Sequence, residues 1–392
     1  MRRAVIVDAV RTPMGKRNGQ LDHIHPVDLA SIPLRALVER NDLDPALVED
    51  VIMGCVMQTG EQGLNVGRNA ALAAGFPETT VGTTIDRQCG SSQQSAHFAA
   101  QGVIAGAYDV VIAAGVESMS RVPMGITAAN GPGKPFGDLM LERYGHGLVP
   151  QGISAQLIAE KWDISREEMD QLAVDSHQRA ARATEEGRFE TQIIPIEVTH
   201  EDGTTELLAT DEGIRPTTTM EVLAGLKPAF DPSHSITAGN SSQITDGASA
   251  MLIMDEDKAE ELGLEPMARF VSFSLAGDDP IMMLTAPIPA TTKALEKAGL
   301  TIEDIDLFEI NEAFASVPIA WRIEHGGSDP MGLWERTNVN GGAVALGHPL
   351  GASGGRLMTT LVHEMVRSGA RYGLQSMCEG GGMANGTILE RV

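Results

Sequence analysis

Two of the three cysteines in this 392-residue chain stand where a thiol could react. Cys89 closes the run Thr83–Gln88 and precedes Gly90, Ser91 and Ser92, which reads as a strand, a tight turn and a helix start. A thiol at a helix start lies near the positive end of the dipole, which favours its thiolate. The free N–H groups there, that of Cys89 included, can hold an oxyanion. On this segment alone a buried structural cysteine fits equally well. Cys55, in an apolar strand with no such turn, reads as packing. Cys378 opens Cys378-Glu379-Gly380-Gly381-Gly382, a strand end whose glycines let the backbone approach a ligand and whose Gly380 could supply a second N–H.

His348 sits in a glycine-rich loop, Asn340 to Gly347, ahead of a helix from Ser353. A histidine placed by backbone turns can take the proton of a nearby thiol, although a turn histidine without chemistry remains the alternative. The loop lacks both the Lys-Ser/Thr ending of a P-loop and the Rossmann glycine spacing. Asn311, in Asn311-Glu312-Ala313-Phe314, ends a strand where an amide can position a water or a carbonyl. His363-Glu364 lacks the second histidine of a zinc helix and His23 and His25 have no partner cluster, so no metal site is expected.

The elements that must carry these groups alternate. Val5–Val7, Val51–Met53 and Val110–Ala114 read as buried strands; Asp28–Arg40, Ser92–Ala105, Ser165–Thr184, Thr291–Ala298 and Ser353–Arg367 read as helices. Such alternation predicts a largely parallel sheet covered on both faces. The two ends of the chain also resemble one another. Leu43 to Val51 matches Leu300 to Ile305, and Ala105-Gly106-Ala107 matches Ser368-Gly369-Ala370, each ahead of a strand. An insertion around His325–Trp334 accounts for the difference in spacing. The two cysteines, at what read as matching ends of the halves with the histidine loop between them, are hard to explain as packing. The segment from Arg121 to about Gln243 has another texture: an irregular run at Asn130-Gly131-Pro132-Gly133, an amphipathic helix, then Gly/Pro punctuation.

The composition excludes several roles. A formal net charge of −24 disfavours nucleic acid and anionic membrane as partners. Hydrophobic residues are 42% and charged residues 21%, as in a soluble globular protein, and no stretch reaches the length of a membrane span. Asp8 and Arg11 interrupt the first apolar run too early for a signal segment, so a first strand is expected. An odd, sparse cysteine count points to a reducing interior, hence a cytoplasmic protein.

Together these segments resemble the thiolase family. The motifs are Cys-x-Ser at Cys89, Asn-Glu-Ala-Phe at Asn311, Gly-His-Pro-x-Gly-x-Ser-Gly-x-Arg at Gly347–Arg356 and Cys-x-Gly-Gly-Gly at Cys378, with Arg11–Lys16 and Gly239–Ala248 also matching, in order over nearly the whole chain. The resemblance implies an α/β fold with duplicated α/β halves in a layered αβαβα core and an inserted loop domain. The N-terminal half is expected over 1–120, completed by about 244–270; the loop domain over 121–243, covering the active site; the C-terminal half over 271–392. It implies an acyl-CoA:acetyl-CoA C-acyltransferase working by thiolysis of 3-ketoacyl-CoA or the reverse Claisen condensation. Cys89 takes the acyl group and His348 activates it. Cys378 moves the proton on the second substrate's α-carbon or on the leaving thiol. Asn311, through a water, and His348 stabilise one thioester oxygen, and the N–H groups of Cys89 and Gly380 the other. Ser242, Arg215, Phe230, Ala313 and Phe314 fall where the family contacts coenzyme A, which is a cosubstrate and not a permanent cofactor. A homodimer or homotetramer is implied, and Asp86–Gln94 and Arg371–Gly382 look like the bacterial fatty-acid and steroid catabolic subgroup.

The chain departs from the family pattern at Gln151-Gly152, where a Met-Gly pair is common, at Val222, and at Met283–Ala286. These positions bear on acyl preference and coenzyme A contacts. A ketoacyl-synthase-type condensing enzyme would place a second His or Asn at Cys378. A non-catalytic acyl-CoA or lipid-binding relative would be expected to lose a nucleophile or the oxyanion glycine.

Overall fold

The computed structural model describes residues 2–129, 131–145, 148–199 and 203–392; Asn130 of the irregular run lies outside them. The first half contributes β1 (Ala4–Arg11), β2 (Gly15–Lys16), β3 (Asp50–Gly54), β4 (Val81–Ile85) and β5 (Val110–Ser118). The intervening segment adds a hairpin, β6 (Ile196–Thr199) and β7 (Thr205–Leu208). β8 (Thr245–Asp255) returns to the first half, and β9 (Ala268–Gly277), β10 (Leu307–Ile310), β11 (Tyr372–Glu379) and β12 (Met383–Arg391) build the second.

Strand order reveals the duplication. The main sheet runs β10-β11-β12-β9-β1-β8-β5-β3-β4, with β2 beside β8. Thus β3-β5-β8-β1 repeats as β10-β11-β12-β9. In both quartets the first pair is parallel and the next two are antiparallel. β4 continues the first quartet in parallel beside β3, and Thr337 forms a parallel bridge to Phe308 in the corresponding place beside β10. The matched sequence landmarks coincide with matched structure. Pro45–Leu47 and Ile302–Asp304 are both 3-10 turns before a strand. Gly106 and Gly369 both end a helix in the left-handed region, at φ 78° and 76°, where glycine has no Cβ penalty.

The expectation of a largely parallel sheet does not hold. β8 and β12 run back along their neighbours, so antiparallel pairs outnumber parallel ones among the described strands. The cause is local for β12: only Gly380–Gly382 separates it from β11, and a three-residue connection can join only antiparallel strands.

The expected helices all form, some starting a few residues earlier. Helices Ser91–Ala105 and Leu350–Ser368 occupy the middle layer. Ala96, Ala99, Ala100 and Val103 of one and Met358, Leu361, Val362 and Met365 of the other bury against apolar residues of β1, β5, β8 and β12. Helix Pro26–Arg40 covers the outer face of the first half through Leu29, Leu34 and Leu37. Helix Pro287–Ala298 covers that of the second through Ala294 and Leu295. The result is the αβαβα layering. The two middle helices start against each other, with room made by small residues: a Cβ on Gly54 would stand 2.5 Å from the Ser92 nitrogen, and one on Gly115 2.2 Å from the Gly351 carbonyl.

The segment before β8 divides its packing. Helices Gln151–Lys161 and Arg166–Glu185 pack through Ala155, Ile158, Met169 and Leu172 in one cluster with Ala313, Phe314, Val344 and Cys378. The β6–β7 hairpin instead adds Ile196, Val198 and Leu208 to the cluster under helix Pro26–Arg40.

Candidate active site

Cys89 is delivered by a strained turn. Gln88 has φ 49°, unusual for a residue with a Cβ, and its N–H donates to Asp86 Oδ1 at 2.6 Å. Ser91 Oγ locks the turn, donating to the Gln88 carbonyl at 2.6 Å and accepting from the Arg87 N–H at 2.9 Å. Cys89 is only 4% exposed and lies among Val56, Met57, Met119, Val122, Leu350 and Met377. Burial pushes its thiol up to about 12, helped by the charge of Glu379 and opposed by hydrogen bonds from the Gln151 side chain and the N–H groups of Cys89 and Gly380. Three donors therefore face the sulfur. The two backbone N–H groups are those a sequence reading singles out; Gln151, at the start of its helix, stood out only as a departure from pattern.

His348 is held by its loop. Gly347 has φ 96°, and the Thr245 side chain occupies the space a Cβ would need. The His348 N–H reaches the Gln243 carbonyl at 3.2 Å and Thr245 Oγ1 at 3.1 Å. Gln243 Nε2 donates to the Val344 carbonyl at 2.9 Å, and Glu312 Oε2 accepts from the Val344 N–H at 3.2 Å and from Ser176 Oγ at 2.7 Å. Glu312 thus fastens the loop, while its neighbour Asn311 faces the imidazole.

The imidazole has a defined tautomer. Ser353 Oγ donates its single proton to the Pro349 carbonyl at 2.8 Å, so it accepts from His348 Nδ1–H at 2.5 Å. That leaves Nε2 with its lone pair, 3.4 Å from Asn311 Nδ2. Burial, with the charge of Arg356, lowers the imidazole to about 3. The thiol is raised and the imidazole lowered, so the resting pair is neutral and charge must develop with substrate.

Cys378 lies fully buried near the end of β11. Its thiol is pushed well up by burial and by the charge of Cys89, and eased by the Asn311 amide. Asn311 thus faces both His348 and Cys378, while its Oδ1 has no partner among the described residues. The Gly380–Gly382 turn follows, with Gly381 and Gly382 at φ 86° and 82°. The five residues Cys89, His348, Cys378, Asn311 and Gly380 are brought to one place.

The duplication pairs them differently from the sequence expectation. Met53 pairs with Ala114 as Ile310 pairs with Ser376, and Met53, Ala114 and Ile310 all face the outer clusters. Counting onward, Cys378 corresponds to Val116, Asn311 to Gly54 and Glu379 to Glu117. Cys89 and His348 instead share the approach to the middle helices. The two cysteines are therefore not at matching ends of the halves, because one precedes a helix and the other ends a strand. Glu117 is buried and accepts from the N–H groups of Val56, Met57 and Gly351 at 2.9, 3.0 and 2.9 Å.

The remaining candidates line one side of this place. The Ser242 N–H donates to the Ala313 carbonyl at 3.0 Å. Phe230, half exposed, meets the Phe314 ring edge-on at 6.1 Å. Exposed Arg215 reaches Gln243 Oε1 at 3.4 Å. Among the described residues no group of three or more His, Cys, Asp or Glu side chains could hold a metal ion, and no helix is long and apolar enough to cross a membrane.

Two family models match the chain: "Thiolase, N-terminal domain" over residues 4–257 and "Thiolase, C-terminal domain" over 264–391. A steroid 3-ketoacyl-CoA thiolase of Mycobacterium tuberculosis is 48% identical, over 100% of this chain and 95% of its own. A 3-ketoacyl-CoA thiolase of Aliivibrio fischeri is 46% identical over 100% of both. The crystal structure of the Bacillus anthracis acetyl-CoA acetyltransferase superposes with a TM-score of 0.91 at 40% identity, covering 100% of this chain and 99% of the other.

Proposed function

The chain belongs to the thiolase family, and on that footing we propose that Cys89 carries the acyl group in a ping-pong thiolysis of 3-ketoacyl-CoA by coenzyme A. The protein is an acyltransferase of this family; the division of labour within the site is our reading. In the first half-reaction His348 Nε2 takes the Cys89 proton and the sulfur attacks the 3-keto carbon. The N–H groups of Cys89 and Gly380 hold the oxyanion, and the bond between C2 and C3 breaks. The departing acetyl-CoA enolate, its oxygen held beside His348 and Asn311, takes a proton from the Cys378 thiol. Coenzyme A then enters, gives its proton to the Cys378 thiolate and attacks the acyl group on Cys89. The shortened acyl-CoA leaves, and His348 returns the proton to Cys89.

One observation supports this most: Cys89 faces the N–H groups of its own turn and of the β11–β12 turn, in the same buried place as Cys378 and the Asn311–His348 pair. The apolar cluster around Cys89 suits an aliphatic or steroid-derived acyl group, and the names of the relatives above favour degradation of fatty acids or steroids. Coenzyme A is the cosubstrate, met by Ser242, Arg215, Phe230, Ala313 and Phe314. The working protein is a cytoplasmic homodimer or homotetramer. A condensing enzyme of the ketoacyl-synthase type is disfavoured by the thiol at Cys378, and a non-catalytic relative by the intact set of groups.

The test is a thiolysis panel from acetoacetyl-CoA to long-chain and steroid-derived 3-ketoacyl-CoAs, with acid quench and peptide mass analysis. An acyl mass on the Cys89 peptide is expected, growing with the substrate. Turnover with no adduct on Cys89 would remove the proposal.

A further inference from the structure

Directly behind the nucleophile lies a carboxyl that the mechanism leaves unused. Glu379 follows Cys378, is 0% exposed, and makes no well-formed hydrogen bond on either oxygen among the described residues, the Asn385 N–H only approaching it. It packs on Gly90, the residue after Cys89: a Cβ built there would stand 1.9 Å from Glu379 Oε1 and 3.0 Å from Asn385 Oδ1. Asn385 Oδ1 also lacks a donor. Two orphan acceptors at one dry spot are costly unless one carries a proton. Asn385 cannot supply it, since its Nδ2 donates to Gln94 Oε1 and His97 Nδ1, both at 3.1 Å. A carboxylic acid can.

We propose that Glu379 is a neutral acid whose proton lies toward Asn385 Oδ1, and that it acts as a positioning residue, seating Gly90 and keeping negative charge away from Cys89. Burial raises this carboxyl to about 8, against the pull of Arg87 and the Asn385 N–H, and its charged form raises the Cys89 thiol in turn. The other groups around it are consistent. Asp86 opposes ionisation, the Cys378 thiol feels the same charge, and His97 behind Asn385 is held neutral at about 3. Ionisation of Glu379 therefore makes the Cys89 thiolate harder to form. The inference rests on Cys89 being the nucleophile, and its test is independent of turnover.

The experiment follows iodoacetamide labelling of the Cys89 peptide by mass spectrometry from pH 6 to 10, in the full-length protein. Only the thiolate reacts, so an undisturbed thiol gains about tenfold in rate per pH unit below its pKa. The wild-type plot is expected to flatten around pH 8 as Glu379 ionises. Glu379→Gln, which keeps a donor for Asn385 Oδ1, should give a straight line, and Glu379→Leu serves if the amide fails to fold. A straight wild-type plot, or the same bend in the folded variants, overturns the proposal. Failure of the nucleophile reading shows separately, as thiolysis that survives Cys89→Ser.

Discussion

The Nδ1 of His348 lies 2.5 Å from Ser353 Oγ, and that hydroxyl spends its only proton on the Pro349 carbonyl. A side chain one helical turn away therefore decides which imidazole nitrogen is basic. Ser353→Ala should lower kcat by about 100-fold, within the range that general-base catalysis contributes, with KM little changed. Ser353→Thr, which keeps the hydroxyl, should recover most of it. Steady-state thiolysis of acetoacetyl-CoA measures both; a parallel rise in KM would point to a distorted loop instead.

Cys89 and Cys378 should fail in different half-reactions. Cys89→Ser should lose thiolysis by about 1000-fold or more while its thermal unfolding stays close to wild type. Cys378→Ala should still acquire an acyl group on Cys89 from acetyl-CoA but not complete condensation. The adduct is read on the quenched protein by intact mass; its absence in Cys378→Ala would dismiss the separation of roles.

Acid should unfold the protein partly through its buried imidazoles. His97 and His348 are held at about 3 by burial, against 6.5 when free. Between these values the unfolded chain binds a proton that the native one refuses. Each contributes nothing above pH 6.5 and costs stability as the pH falls below it, by about 1.4 kcal/mol per unit. His97→Gln should make the slope of unfolding free energy against pH shallower by about that amount between pH 4 and 6. Urea titrations at fixed pH report it, and an unchanged slope would place the acid sensitivity elsewhere.

Gly152 carries a prediction about coenzyme A. A Cβ there would stand 2.2 Å from the Phe230 ring, which must then swing away from Phe314. An aromatic pair of this kind is worth about 0.5–1.5 kcal/mol, so Gly152→Ala should raise KM for coenzyme A about two- to tenfold. Single-turnover acylation of Cys89 separates this from damage to the chemistry, and an unchanged KM would release Phe230 from the coenzyme A site.

Much of this was legible in the chain. The helices after Cys89 and before Gly369, and the landmarks at Leu43 and Leu300, carry their own periodicity and turn residues. Strand direction was not legible, since an apolar run such as Thr245–Asp255 reads the same whichever way it lies beside its neighbour. Nor were pairings at long separation. Ser353 is a motif position at a helix start, but only the fold places its hydroxyl against His348. Glu379 stood unremarked between two catalytic motif positions, because an orphan acceptor exists only relative to Asn385 and Gly90. Gln151 was visible as an oddity of pattern, but only the fold aims its amide at Cys89.

The repeated strand order gives two of the site's groups silent twins. Gly54 stands where Asn311 does and Val116 where Cys378 does, yet Gly54 makes room for the start of a helix and Val116 serves packing. A homodimer of one such half would be obliged to place the same side chain at both positions of each pair. Joining two halves in one chain lifts that obligation, so one member of each pair can serve chemistry while the other serves packing.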